Sequence, residues 1–137
     1  MTESEIRYVH PESWKAASGY SNGVLVPAGW RTLYVAGQIA WNAQQEIVGA
    51  KDFAAQFDQA LANVIEVVTT AGGKPEHIVK MTIFVTDKQA YLASTRSLGG
   101  IWRERMQRSY PAMALVEVAA LVEEGALLEI EATAAFP

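Results

Sequence analysis

Few side chains in this sequence are suited to acid–base or nucleophilic work, and their types narrow the chemistry at once. There is no cysteine, which removes thiolate nucleophiles, disulfides and cysteine-ligated metals together. The two histidines, His10 and His77, sit in unrelated segments rather than at the matched spacing of a ligand pair, so neither a metal nor another cofactor is expected. What remains is carboxylate and guanidinium chemistry: Glu117, Glu129 and Glu131 in the apolar C-terminal part, with Arg103, Arg105 and Arg108 shortly before it. A carboxylate can pass a proton or orient a water, and a guanidinium can grip an anion through two parallel hydrogen bonds. Each also has a plainer use, as a hydrogen-bonded interface carboxylate or as a cation complementing the end of a helix.

The elements that must position these groups can be read from periodicity. Gly23–Val26 and Thr32–Ala40 are short β-rich runs separated by Pro27, Ala28 and Gly29, a turn composition that predicts a hairpin. Gly37 lies inside the second run, where a glycine marks a bulge or a close approach by another group. Phe53, Phe57, Leu61, Val64 and Val68 recur at helical spacing, predicting an amphipathic helix from Phe53 to Ala71 that Gly72 and Gly73 bring to an end. Ile78–Thr86 predicts a strand. Asp87 then caps a second helix that reaches Met106, directs Tyr91, Leu98, Ile101 and Trp102 inward, and is weakened in its middle by Gly99 and Gly100. Ala112–Ala119 and Leu127–Ala135 predict the last two strands, joined by a turn at Glu123, Glu124 and Gly125.

The resulting order, β-β-α-β-α-β-β, predicts an α/β two-layer sandwich with both helices on one face of a mixed sheet, because right-handed crossovers land on the same side. Leu128, Ile130, Ala132 and Ala134 must then face the helices, since they alternate with Leu127, Glu129, Glu131 and Thr133. The preceding strand divides into Ala114, Val116 and Val118 against Met113, Leu115, Glu117 and Ala119. The second set mixes apolar and acidic residues, and we read it as the uncovered face that meets another subunit.

Composition sets the outer bounds. The chain has 137 residues, half of them hydrophobic and 19% charged, as expected for a single domain over residues 1–137. A net charge of -4 disfavours a nucleic-acid partner, whose phosphates are bound by clustered Lys and Arg. The N-terminal residues lack the basic start and apolar run of a signal peptide, and no apolar stretch approaches the roughly 18 residues of a membrane span. The expectation is a cytoplasmic protein that makes no membrane contact.

Six blocks in order, GYSNGV at Gly19–Val24, VAGQI at Val35–Ile39, the AGG after the first helix, IVKMTIFVTD, YPAMALVEVAAL and the terminal EIEATA, resemble the Rid (YjgF/YER057c/UK114) family over nearly the whole chain. The resemblance implies a chorismate-mutase-like fold, a homotrimer, and small-molecule metabolites held in clefts between subunits. Deaminating members hydrolyse reactive imines and enamines to keto acids and ammonia. In them an arginine grips the substrate carboxylate while a glutamate and backbone groups position water and move protons.

Carried onto this chain, the resemblance makes Glu129 the candidate catalytic residue and assigns ligand contact to Gly37, through its backbone, and to Tyr20, which closes the cleft. The arginine position is occupied by Met113, in the block Tyr110-Pro111-Ala112-Met113, and Leu115 stands where many relatives have cysteine. A thioether has no donor with which to grip a carboxylate. Tyr20, Trp41, Met113 and Leu115 together suggest an unusually apolar cleft, and Arg103, Arg105 and Arg108 are the candidates for a displaced cation. The implied activity is hydrolytic deamination of a larger enamine, as in the 2-aminomuconate deaminases of aromatic-amine breakdown. The alternative is a trimer that binds a metabolite without breaking a bond. RNA cleavage, an old family label, is disfavoured by the acidic balance.

Overall fold

The computed structural model describes residues 4–137. A small antiparallel ribbon of β1 (Arg7–Val9) and β2 (Gly23–Leu25) precedes a four-stranded sheet made of β3 (Arg31–Gln38), β4 (Ile78–Val85), β5 (Ala112–Glu117) and β6 (Leu128–Phe136). The helices are α1 (Phe53–Thr70) and α2 (Lys88–Met106), and a single 3-10 turn, Pro75–His77, leads into β4. The sheet order is β3-β6-β4-β5, with β6 antiparallel to both of its neighbours and β4 parallel to β5. Both helices cover one face of this mixed sheet, the two-layer α/β arrangement of the chorismate-mutase-like fold.

Helix α1 forms where the periodicity predicts it. Asp52 is extended and its side chain accepts the Ala55 N–H, satisfying one of the donors a helix start leaves unpaired. At the other end Gly72 takes φ +101, and its N–H and that of Gly73 return to Thr69 and Val68, closing the helix as the glycine pair predicts. Leu61, Val64 and Val68 are fully buried against the sheet, each contributing about 1.5–3 kcal/mol by leaving water. Gln56 is buried as deeply but is fully used: it donates to the Gly49 and Gly125 carbonyls and accepts the Leu127 N–H. One side chain thus ties two turns to the helix.

Two expectations need correction. The strand at Gly23–Leu25 does not form a hairpin with the one that follows; it pairs with Arg7–Val9, in the register Arg7 to Leu25 and Val9 to Gly23. A three-residue strand with exposed flanks carries little pattern, so nothing in residues 7–9 announced the partner. The second correction concerns β5. Its parallel register sets Met113 beside Met81 and Leu115 beside Ile83, and Met81 and Ile83 are core residues. Met113 and Leu115 therefore pack on the helix side, while Ala114 and Val116 lie on the open face with Thr82 and Phe84. Glu117 is not an open-face carboxylate either: it accepts the backbone N–H of Lys88 at the start of α2, where the helix dipole favours a negative charge.

The alternation of β6 is as expected. Leu128, Ile130 and Ala134 are fully buried and Ala132 nearly so, which turns Glu129, Glu131 and Thr133 to the open face. Tyr34 on β3 is 80% exposed on that same face. No helix among the described residues is long and apolar enough to cross a membrane.

Candidate functional site

Glu129 reaches the open face because its neighbours Leu128 and Ile130 are held in the core. On the adjoining strand the register of β3 shifts between Val35 and Gln38, a bulge that brings Gly37 against it. A Cβ placed on Gly37 would stand 2.6 Å from Glu129 Oε1 and 2.9 Å from Cδ, closer than any real side chain tolerates. The glutamate side chain therefore lies across the bare backbone of Gly37. Both readings of a glycine inside a strand apply here, a bulge and a close approach by another group. Chemically, the pair sets a carboxylate acceptor beside an unshielded stretch of main chain.

Met113 and Leu115 belong to a different place. With Tyr20, Phe57, Trp102 and Tyr110 they line a cleft of about 490 Å³ between β5 and α2. Trp102 is fixed by stacking on Tyr110, with ring centroids 6.0 Å apart and planes 10° from parallel, and by donating its indole N–H to the Ser109 carbonyl at 3.1 Å. The segment carrying Tyr20 is docked by Ser21, whose backbone N–H donates to the Pro111 carbonyl and whose hydroxyl donates to that of Tyr110. The floor of the cleft is apolar, as Met113 and Leu115 suggest.

Within one chain, then, the residues carried over from the family fall into separate groups. Gly37 and Glu129 meet on the open face; Tyr20, Met113 and Leu115 line the cleft on the helix side. Trp41 joins neither group and instead lines a recess with Gln38, Asn42 and Asn63. The Asn63 side chain donates to the Trp41 and Ile39 carbonyls and fixes the chain there.

The three arginines also separate. Arg105 is bound to Asp58 on α1, and this hydrogen bond raises its already high pKa further. Arg108 lies by a recess with Tyr8 and His10. Arg103 lines the cleft of Met113. Sequence reading gives Tyr91 as a core residue and Gly99 as a weak point of α2, and misses that both line the same cleft with Thr95; the signal available was spacing with Arg103, since positions 95, 99 and 103 lie on one helix face. Among the described residues no group of three or more His, Cys, Asp or Glu side chains converges as a metal site would require.

Comparison with known proteins matches this arrangement to one family. The family model described as Endoribonuclease L-PSP matches residues 11–136. The 2-iminobutanoate/2-iminopropanoate deaminase of Homo sapiens is 32% identical over 119 residues, covering 87% of this chain and 81% of that protein. A RutC family protein of Haemophilus influenzae is 37% identical over 127 residues, covering 92% and 94%. Among solved structures, a Rid family protein from Yersinia pestis, described as of unknown function, superposes with a TM-score of 0.85 at 34% identity, covering 96% of this chain and 98% of that one. Sequence and fold agree over almost the full length, and the chain belongs to the Rid (YjgF/YER057c/UK114) family.

Proposed function

We propose that this protein is a homotrimeric hydrolase that releases ammonia from a small imine or enamine bound between subunits. The observation that carries the reading is the seating of Glu129 across Gly37, which holds a carboxylate where it can accept a proton from water while main-chain groups orient the substrate. In the proposed reaction the water oxygen adds to the imine carbon as Glu129 takes its proton. Glu129 passes that proton to the nitrogen, which gives a carbinolamine. It then takes the hydroxyl proton and delivers it to the same nitrogen as the C–N bond breaks, so that a carbonyl compound and ammonia leave. An enamine enters this sequence as its imine tautomer. Several relatives bear the name 2-iminobutanoate/2-iminopropanoate deaminase, which supports the reaction class.

The separation of the residues supports the trimer. Gly37 and Glu129 lie on the opposite side of the sheet from Met113 and Leu115, so a cleft holding both groups takes them from two copies of the chain. In that reading Tyr20 closes the cleft and Trp41 reaches it from a neighbouring copy. With methionine at position 113, the preferred substrate is larger and more apolar than a 2-iminobutanoate, an enamine of the kind formed in aromatic-amine breakdown.

Ammonia release from a panel of enamines, compared for wild type and Glu129→Gln, tests the reading. The expected loss is about a hundredfold to ten-thousandfold, the span of general acid–base catalysis. Methionine at position 113 favours a second reading, a trimer that binds a metabolite and leaves it intact. No ammonia above the buffer rate with any member of the panel, together with saturable binding, would establish that second reading.

A further inference from the structure

We infer that Arg103 supplies the anion-binding charge of the Met113 cleft, and that the cleft takes a monocarboxylate carried on an aromatic or similarly broad apolar body. This deepens the reading above in that it uses the same cleft, but it does not require that any bond be broken there.

Of the three arginines near β5, Arg105 is committed to Asp58 and Arg108 lies by a separate recess. Arg103 makes no ion pair and no side-chain hydrogen bond among the described residues, and it is the one formal charge among the described residues lining the cleft. A helical side chain covers the surface over the turn that precedes it. For Arg103 that turn carries Gly99, and no atom lies within 4 Å of where a Cβ on Gly99 would stand. The missing side chain leaves a channel along α2 through which a guanidinium can lean to the cleft mouth.

The body of the ligand follows from the remaining walls. Phe57, Leu98, Trp102, Met113 and Leu115 form an apolar floor, and the Thr95 hydroxyl stands on the same helix face as Arg103. A volume of about 490 Å³ falls within the range of about 300–1,000 Å³ typical of small-molecule sites. A two- or three-carbon acid would leave most of that floor in contact with water. A cation at the rim over an apolar floor selects an amphipathic anion, held by a fork of charge-assisted hydrogen bonds at one end and by burial at the other.

Isothermal titration with benzoate and with its uncharged analogue benzamide tests the assignment on the intact protein. Wild type is expected to bind benzoate saturably and more tightly than benzamide. Arg103→Gln, which keeps helix propensity and removes the charge, should weaken benzoate about tenfold to a hundredfold and leave benzamide unchanged. Arg103→Lys should fall between the two, since an ammonium cannot form the two-pronged contact, and Arg108→Ala should match wild type. Benzoate affinity that survives Arg103→Gln, equal affinity for the two probes in wild type, or no saturable benzoate binding would each overturn the assignment. Because the readout is binding, a protein that passes this test but yields no ammonia refutes the deaminase reading alone. Ammonia release that is indifferent to Arg103→Gln, with benzoate affinity likewise unchanged, refutes this one alone.

Discussion

Replacing Gly37 by alanine would ask whether the bare backbone beneath Glu129 matters to chemistry or only to packing. The backbone at Gly37 lies outside the left-handed region, so alanine adopts it without torsional strain. Its methyl group, however, would stand 2.6 Å from Glu129 Oε1, 2.9 Å from Cδ and 3.1 Å from Cγ, where ordinary contact begins near 3.4 Å. The obstructed atoms are the far end of a flexible side chain on a half-open face, so the glutamate can rotate aside at about 1 kcal/mol, the cost of a strained rotamer. Stability should therefore fall little, with a Tm shift of about 4 °C or less. Rate should fall far more. The carboxylate is driven back by a sizeable fraction of an ångström, and a misplacement of about 1 Å at a reacting group costs about a hundredfold. The assay is ammonia release from the best enamine substrate, run beside thermal unfolding for Gly37→Ala, Glu129→Gln and the double variant. Because both changes act on one carboxylate, the double variant should be hardly slower than Glu129→Gln. A Gly37→Ala rate equal to wild type, or a loss that adds in full to that of Glu129→Gln, would refute the reasoning.

Other consequences can be measured independently. Gln56→Leu leaves the Gly125 carbonyl and the Leu127 N–H without their partner, while the Gly49 carbonyl keeps the Asp52 N–H. The cost is about 1–3 kcal/mol for each group left unsatisfied; urea unfolding should show the loss, and an unchanged midpoint would show that water replaces the amide. The His77 pKa is lowered from 6.5, chiefly by desolvation, and its Nδ1 accepts the Lys74 N–H, a bond that needs the unprotonated nitrogen. The unfolded chain therefore binds a proton at His77 more readily than the folded one, and stability should decline as pH falls through 6.5 toward the lower folded value. His77→Gln should flatten that decline, and an unaltered pH profile would assign it to other groups. Sedimentation should give a particle three times the 14.9 kDa chain mass, and a monomer at assay concentration would remove the shared-cleft reading.

The sequence carries the long elements clearly and the local pairings poorly. Helix α1 is legible from Phe53 to Ala71 because apolar spacing and glycine termination agree with one another, and the structure adds the cap at Asp52. The last strand is equally plain, since alternation decides the face of each residue from Leu128 to Ala134. The face of β5 was misassigned for a physical reason: Met113 and Leu115 are apolar but only partly buried, and Ala114 and Val116 are apolar but exposed, so composition does not distinguish the two sides. Register against Met81 and Ile83 decides the matter, and register depends on contacts distant in sequence. The same limit separates Gly37 from Arg103. The bulge position stood out as a glycine within a strand, whereas Arg103 was indistinguishable from Arg105 and Arg108 until Asp58 and Gly99 were placed in space.

The short limb that docks Ser21 beside Pro111 has a consequence for solubility. Strand β5 is an outer strand of the sheet, paired on one side with β4, and on its other side Ser21 meets Ala112 in a single parallel bridge. An outer strand with its hydrogen-bonding row open is a template on which another chain can add and aggregation can begin. By occupying the first rung and carrying Tyr20 across the end of the strand, the limb caps that template at the point where a foreign strand would start to pair. Shortening the chain past Asn22 would thus be felt first as a tendency to precipitate, well before the core beneath α1 loosened.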